Sequence, residues 1–284
     1  MHSPVPLARF CVVTPNFNMA GYLAETIESV LANLGPDDQY FVVDGGSTDG
    51  SIEVLKQYEG RISGWVSEPD RGYSDAVAKG FEMGPSQFQC WIACGDLLLP
   101  GALDLARSVF ESTNADMIYG DDVYIDEQGM VLQITSGQIH NLAGMMLWGG
   151  WTPLQDACFW KTDLYTQIGG INPNVRYAAD YDLFLRISLN GMCCYTPHVF
   201  SAFRRHDGQT SEKFRAAYKR EKSAASKRAV ESMPKGAVSR WSRIYCWLFP
   251  KFRARMRFIN VKRVKPARLG QPVHECRAAL SSNF

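Results

Sequence analysis

Residues 91–101 read WIACGDLLLPG, and the rest of the chain can be organised around them. Residues 90–93 are apolar and short enough for a buried strand, and Pro100 suits the first turn of a helix, where its missing N–H is not needed. Between them Asp96 lies at the carboxyl end of the strand, the edge where open α/β sheets bind ligands. A single carboxylate there fits a Mg²⁺ or Mn²⁺ ion, which takes one or two protein oxygens and leaves its other positions for substrate phosphates. The competing reading is a helix cap, for which a place four residues before Pro100 is early.

Toward the N-terminus the pattern is strand and helix in alternation. Residues 9–14 (RFCVVT) form a buried type of strand closed by Pro15, and Phe17 follows in the turn, able either to stack on a base or to plug the core. Leu23, Ile27, Val30, Leu31 and Leu34 recur at helical spacing until Gly35-Pro36 stop them. A second strand, residues 39–43, runs into DGGSTDG at 44–50, where the glycines let the backbone turn tightly and Ser47, Thr48 or Asp49 can cap the next helix. Asp44 at that strand's end can bond a base or ribose, or close an ordinary Asx turn. Neither GxGxxG nor GxxxxGK[ST] occurs, which removes support for dinucleotide and P-loop sites. Residues 64–67 make a third strand, followed by Arg71 in a glycine-containing loop, placed to meet a diphosphate or simply solvent, and by a helix over 74–83.

Beyond the central stretch the expectation is a helix over 101–112, a strand at 117–119 and a hairpin joining 123–125 to 130–134 through DEQG. The alternation argues a mostly parallel sheet built of βαβ units. Among Trp148, Trp151, Phe159 and Trp160, at least two belong in the core. Further on, Asp182 and Arg186 form an i,i+4 pair, and Asp180 opens the same helix as either its N-cap or a base beside the metal.

With 284 residues the chain can bury one large domain and an appendage. Its net charge of +1 conceals an asymmetry: residues 1–202 carry 9 Lys+Arg against 24 Asp+Glu, and residues 203–284 carry 21 against 5. Eight cysteines include no CxxC pair, which suits a reducing compartment. No apolar run approaches the ~20 residues of a membrane span. No signal-peptide pattern opens the chain, and a cytoplasmic protein is expected.

The motifs TPNFN at 14–18, VVDGGSTDGS at 42–51, SEPDRGYSDA at 67–76, GDLLLPGAL at 95–103, AADYDLFLR at 178–186 and FRRHDGQTS at 203–211 stand in one order and spacing. Together they resemble the family-two inverting glycosyltransferases of the GT-A fold, of the bacterial polysaccharide-assembly type, over about residues 9–211. The resemblance implies a GT-A domain over 1–211, with its nucleotide-sugar half at about 1–120 and its acceptor half at about 121–211. A basic helical region, 212–284, follows. It implies a nucleotide-sugar donor, a Mn²⁺ or Mg²⁺ ion, and a glycan or lipid-linked acceptor. By position, Pro15, Phe17 and Asp44 would hold base and ribose with Arg71 nearby. Asp96 matches the metal carboxylate of the DxD-like motif, His206 a histidine that approaches metal or diphosphate, and Asp180 the catalytic base. Gly95 stands where relatives carry a first carboxylate, Ala179 where they carry a Glu, and Ala78 where they often carry Asn.

A base opposite the leaving group gives direct displacement with inversion, and general-base help is typically worth ~10²–10⁴-fold. A catalytically inactive nucleotide-sugar binder is the alternative. Nucleic-acid binding is disfavoured, since the acidic part offers no accompanying basic patch. Residues 212–230 read as a cationic helix with one modest apolar stripe. Residues 240–260 interleave aromatics and cations, a composition for lying on an anionic membrane surface or for packing on the acidic domain.

Overall fold

A computed structural model of the protein describes residues 8–135, 142–149, 151–206, 209 and 213–233, the side chains of 8, 145, 148 and 149 excepted. The expectations for residues 240–260 and for Trp148 lie outside the described residues.

The elements run β1 (Ala8–Asn16), α1 (Ala20–Leu31), β2 (Gln39–Asp44), α2 (Ser51–Gln57), β3 (Gly64–Ser67), α3 (Tyr73–Glu82), β4 (Ser86–Trp91), β5 (Leu97–Leu98) and α4 (Ala102–Ser112). They continue with β6 (Met117–Ile125), β7 (Val131–Thr135), α5 (Leu142–Gly149), a 3₁₀ turn (Gln155–Ala157), β8 (Cys158–Lys161), α6 (Thr162–Gln167), α7 (Ala179–Asn190), β9 (Cys193–Arg204) and α8 (Arg215–Ser232). One sheet contains all the strands in the order β3-β2-β1-β4-β8-β6-β9-β5, with β7 paired to β6. The β3-β2-β1-β4 half is parallel, β8 runs antiparallel to both β4 and β6, and β9 returns parallel to β6.

The apolar run of β1 is explained by helices on both faces of this sheet. Phe10 and Val12 face a core made with Leu23, Ile27 and Val30 of α1, Leu55 of α2 and Leu103 and Phe110 of α4. Cys11 and Val13 face the opposite core, made with Val77 and Phe81 of α3, Phe184 of α7 and Ala225 of α8. Trp160, fully buried, meets Trp91 edge-on there, and Phe159 lies in the other core.

Three boundaries differ from the sequence reading. The strand expected at 90–93 spans Ser86–Trp91 and leaves the sheet there, and Leu97–Leu98 form a two-residue strand against β9. The helix expected at Pro100 begins at Ala102, because the Asn33 side chain accepts the Ala102 N–H and sets the first turn. The strands expected at 117–119 and 123–125 are one strand, β6. Gly120 within it lets Phe200 of β9 pass, since a Cβ there would lie 2.5 Å from that ring.

Candidate active site

Parallel register brings the ends of the first three strands together, Asn16 opposite Asp44 and Asp44 opposite Ser67. Asp44 is fully buried at this edge. Its carboxylate accepts the Asn16 amide at 2.6 Å, the Gly46 and Ser47 N–H groups at 3.1 and 2.9 Å, and the hydroxyls of Ser47 and Ser67 at 2.5 and 2.6 Å. Burial raises its pKa, but the hydroxyls of Ser47 and Ser67, with the Ser47 N–H and the Asn16 amide, outweigh burial and hold the carboxyl below its ordinary value. Asp44 therefore organises the glycine loop. Asp49 links the same loop to two helices, accepting the Ala20 N–H of α1 and the Ser51 N–H of α2.

Around this buried centre the other expected residues differ in exposure. Pro15 is buried on β1, whereas Phe17 is 61% exposed, and Gly45 leaves room between the Phe17 ring and the Asp70 carboxylate. Arg71 is exposed and paired with Asp75, Nη2 to Oδ1 at 2.5 Å.

The Asp96 loop is held from α1. Thr26, Ser29 and Asn33 form a buried polar stripe beside the apolar one, and this stripe bonds the loop's main chain. Thr26 Oγ1 donates to the Asp96 carbonyl and accepts the Gly95 N–H, both at 3.0 Å. Ser29 Oγ accepts the Leu98 N–H at 3.1 Å. From the other side the Arg204 N–H donates to Asp96 Oδ1 at 2.9 Å. The buried Arg204 guanidinium bonds the carbonyls of Gly95, Asp126 and Glu127 and the Glu25 carboxylate. His206, two residues beyond Arg204, is half-buried with its ring 5.9 Å from that of Tyr22. Gly95 has φ +105, a conformation side chains rarely adopt. The missing first carboxylate is thus a feature of the loop's backbone.

Two further carboxylates lie in the same buried region. Asp122 on β6 and Asp156 on the 3₁₀ turn are 1% and 0% exposed, and the Ser201 hydroxyl, which bonds Asp122 at 3.1 Å, also reaches Asp156. Burial pushes the Asp156 carboxyl up to about 6. Burial and the charge of Asp156 raise Asp96 and Asp122 well above the carboxylate range. Among the described residues no three His, Cys, Asp or Glu side chains are grouped so that they could hold a metal between them. The donor set instead suits a divalent cation to which Asp96 would supply one carboxylate and a bound diphosphate further oxygens.

Asp180 lies in the first turn of α7, half-buried, its carboxyl pushed up to about 6 by burial. The N-cap position belongs to Ala178, which makes no side-chain cap bond. Glu221 of α8 fixes the turn that leads into the helix, accepting the N–H groups of Arg176, Tyr177 and Ala178 at 3.3, 2.7 and 3.0 Å. Tyr73 of α3, within the electrostatic reach of Asp180, Asp96 and Asp156, donates its hydroxyl to Gln155. Asp182 pairs with Arg186 as expected and also with Arg228 of α8.

A sheet with helices on both faces, its acidic groups along one edge, is the GT-A type of glycosyltransferase fold. The chain belongs to glycosyl transferase family 2, whose family pattern matches residues 11–154, and glycosyl transfer is that family's chemistry. It is 28% identical over 129 residues to an uncharacterized glycosyltransferase of Nostoc sp., 42% of this chain and 40% of that one. To the PGL/p-HBAD biosynthesis glycosyltransferase of Mycobacterium bovis it is 22% identical over 196 residues, 64% of this chain and 70% of that one. Among solved structures, S. aureus TarS 1-349 superposes with a TM-score of 0.56 at 16% identity, covering 74% of this chain and 63% of that one. A Pyrobaculum calidifontis mannosyltransferase, solved with GDP-Man and Mn²⁺, gives 0.55 at 14% identity over 85% of this chain and 80% of that one. The matched stretch therefore spans less than two thirds of both the Nostoc relative and the TarS structure. Among the described residues no helix is long and apolar enough to cross a membrane.

Proposed function

We propose that the protein transfers a sugar from a nucleotide-sugar donor to a hydroxyl of a glycan or lipid-linked acceptor, with inversion at the sugar carbon. The observation that carries this reading is Tyr73 lying in electrostatic reach of both Asp96 and Asp180, with Asp180 half-buried in the first turn of α7 and its carboxyl raised to about 6. A group with that pKa is ionised at neutral pH yet basic enough to take a proton. In this reading Asp180 removes the acceptor hydroxyl's proton as the sugar carbon is attacked from the face opposite the leaving diphosphate.

Phe17 offers its exposed ring to the base, and Pro15 and the Asp44 loop shape the pocket for the nucleoside. Arg71 exchanges Asp75 for a phosphate oxygen. Asp96, with His206 on the same rim, holds Mn²⁺ or Mg²⁺, which when bound stabilises charge on the leaving diphosphate as a Lewis acid. The neighbours solved with UDP-GlcNAc and with GDP-Man and Mn²⁺ support a nucleotide-sugar donor and a divalent ion. The cationic C-terminal region supports a lipid-linked acceptor and an anionic membrane surface.

A thermal-shift panel of UDP, UDP-GlcNAc, GDP and GDP-mannose, with and without Mn²⁺, tests the donor side. A ligand at ~100 times its Kd stabilises by about 2.7 kcal/mol. At least one nucleotide should raise the melting temperature only when Mn²⁺ is present, and Asp96→Asn should abolish that increment. An undiminished increment in the variant would overturn the assignment of Asp96.

A further inference from the structure

Helix α8 carries a lysine toward the carboxylate read above as the base. Three of its side chains pin the helix to the start of α7: Glu221 on the N–H groups of residues 176–178, Ser226 Oγ with the Tyr181 hydroxyl at 2.8 Å, and Arg228 with Asp182 at 2.8 Å. Its own Ala225 and Ala229 are buried against the core. Lys222 follows Glu221 directly. Its Nζ lies 4.5 Å from the centre of the Tyr181 ring and 5.9 Å from that of Tyr218. Tyr181 is the residue after Asp180, so the ammonium is delivered to the turn that carries the carboxylate.

We infer that Lys222 is a positioning residue of the active site, a cation supplied by the C-terminal helix to keep Asp180 ionised and oriented. The electrostatics agree in sign on both partners. Lys222 draws the Asp180 carboxyl down against burial, and Asp180 holds the Lys222 amine up against burial. Among the described residues no other cation opposes burial at Asp180. The other titratable groups that feel its charge among the described residues are Tyr73 from α3, Cys158 from β8 and Tyr218 from α8. Nearby, Asp182 is held by Arg186 and Arg228, and Glu221 is occupied with backbone N–H groups. Without Lys222 the carboxylate would stand among tyrosines and a thiol, and its proton would leave only at higher pH.

The catalytic consequence rests on the reading of Asp180 as base, but the coupling can be measured without turnover. In the full chain labelled with ¹³C at aspartate carboxyls, the Asp180 resonance is the one missing from Asp180→Asn. Lys222→Met keeps the aliphatic stem on the tyrosine rings and removes the charge. The Asp180 midpoint should then rise by about one pH unit, and Lys222→Arg should restore most of it. In the reciprocal experiment, the ζ-nitrogen midpoint of Lys222 should fall in Asp180→Asn, because coupling between two sites is mutual. An unmoved Asp180 midpoint in folded Lys222→Met overturns the proposal. If that variant does not fold, an unmoved Lys222 midpoint in Asp180→Asn overturns it alone. Intact coupling with undiminished glycosyl transfer by Asp180→Asn would instead remove the base reading and leave Lys222 as a purely electrostatic partner.

Discussion

Asp180→Asn exchanges a half-buried carboxylate for an amide of the same shape, and its effects on stability and on turnover should have opposite signs. Burial raises the Asp180 carboxyl from 3.8 to about 6 in the fold. A raised folded pKa favours folding below the unfolded value, and that contribution disappears as pH climbs through the folded value. About two pKa units at 1.36 kcal/mol each make ionised Asp180 a cost of about 3 kcal/mol at neutral pH. The amide carries no such cost, and its oxygen can still accept the first-turn N–H groups that the carboxylate accepts. Urea unfolding at pH 7.5 should therefore find the variant more stable by up to about 3 kcal/mol, with the difference vanishing near pH 3.5. In a thermal scan at pH 7.5 the same gain corresponds to about 6–12 °C for a domain of this size. Turnover should meanwhile fall by about 10²-fold or more. A variant less stable than the parent at pH 7.5 would refute the reasoning, since the carboxylate would then be holding the helix rather than straining it.

Two other substitutions probe the frame around the site. Glu221→Ala removes the acceptor of three N–H groups in the turn leading into α7 and should cost about 1–3 kcal/mol, read as a lower urea midpoint. Gly80→Ala drives a Cβ into Val13 Cγ1, where α3 crosses β1, and should cost about 1–3 kcal/mol, again by urea unfolding.

The sequence made the alternation of β1 to β3 with α1 to α3 legible, because β1 and β2 carry apolar runs and α1 an apolar stripe, whereas β4, with Gln87 and Gln89 inside it, was read only from residue 90. β3 falls where it was read. What period and propensity could not show were bonds between distant segments. Thr26, Ser29 and Asn33 look like a solvent face, yet all three are buried against main chain some seventy residues away. A polar stripe at helical spacing, directly beside the apolar one, was the signal available. Glu221 likewise reads as one charge in a charged helix, and only the packing of α8 reveals it as the acceptor that holds the turn entering α7.

Of the site, Asp44, Asp96 and Asp180 were visible as lone carboxylates at element ends. Asp122 and Asp156 were not singled out, although an Asp pair inside the otherwise apolar run of β6 was a hint. Their burial depends on β8 and β9, which the sequence reading did not delineate. The buried Arg204 was passed over inside a motif noticed for its histidine.

The stripe on α1 reaches the Asp96 loop through amides and carbonyls, the groups every residue type shares. The instructions for where this carboxylate stands are therefore written in a helix about seventy residues upstream, while the loop's own side chains are free for other work. Leu97 and Leu99 use that freedom to build a small separate core with Val123 and Ile125. Position and composition have been decoupled, so the loop can change its apolar content without losing the address of its acid.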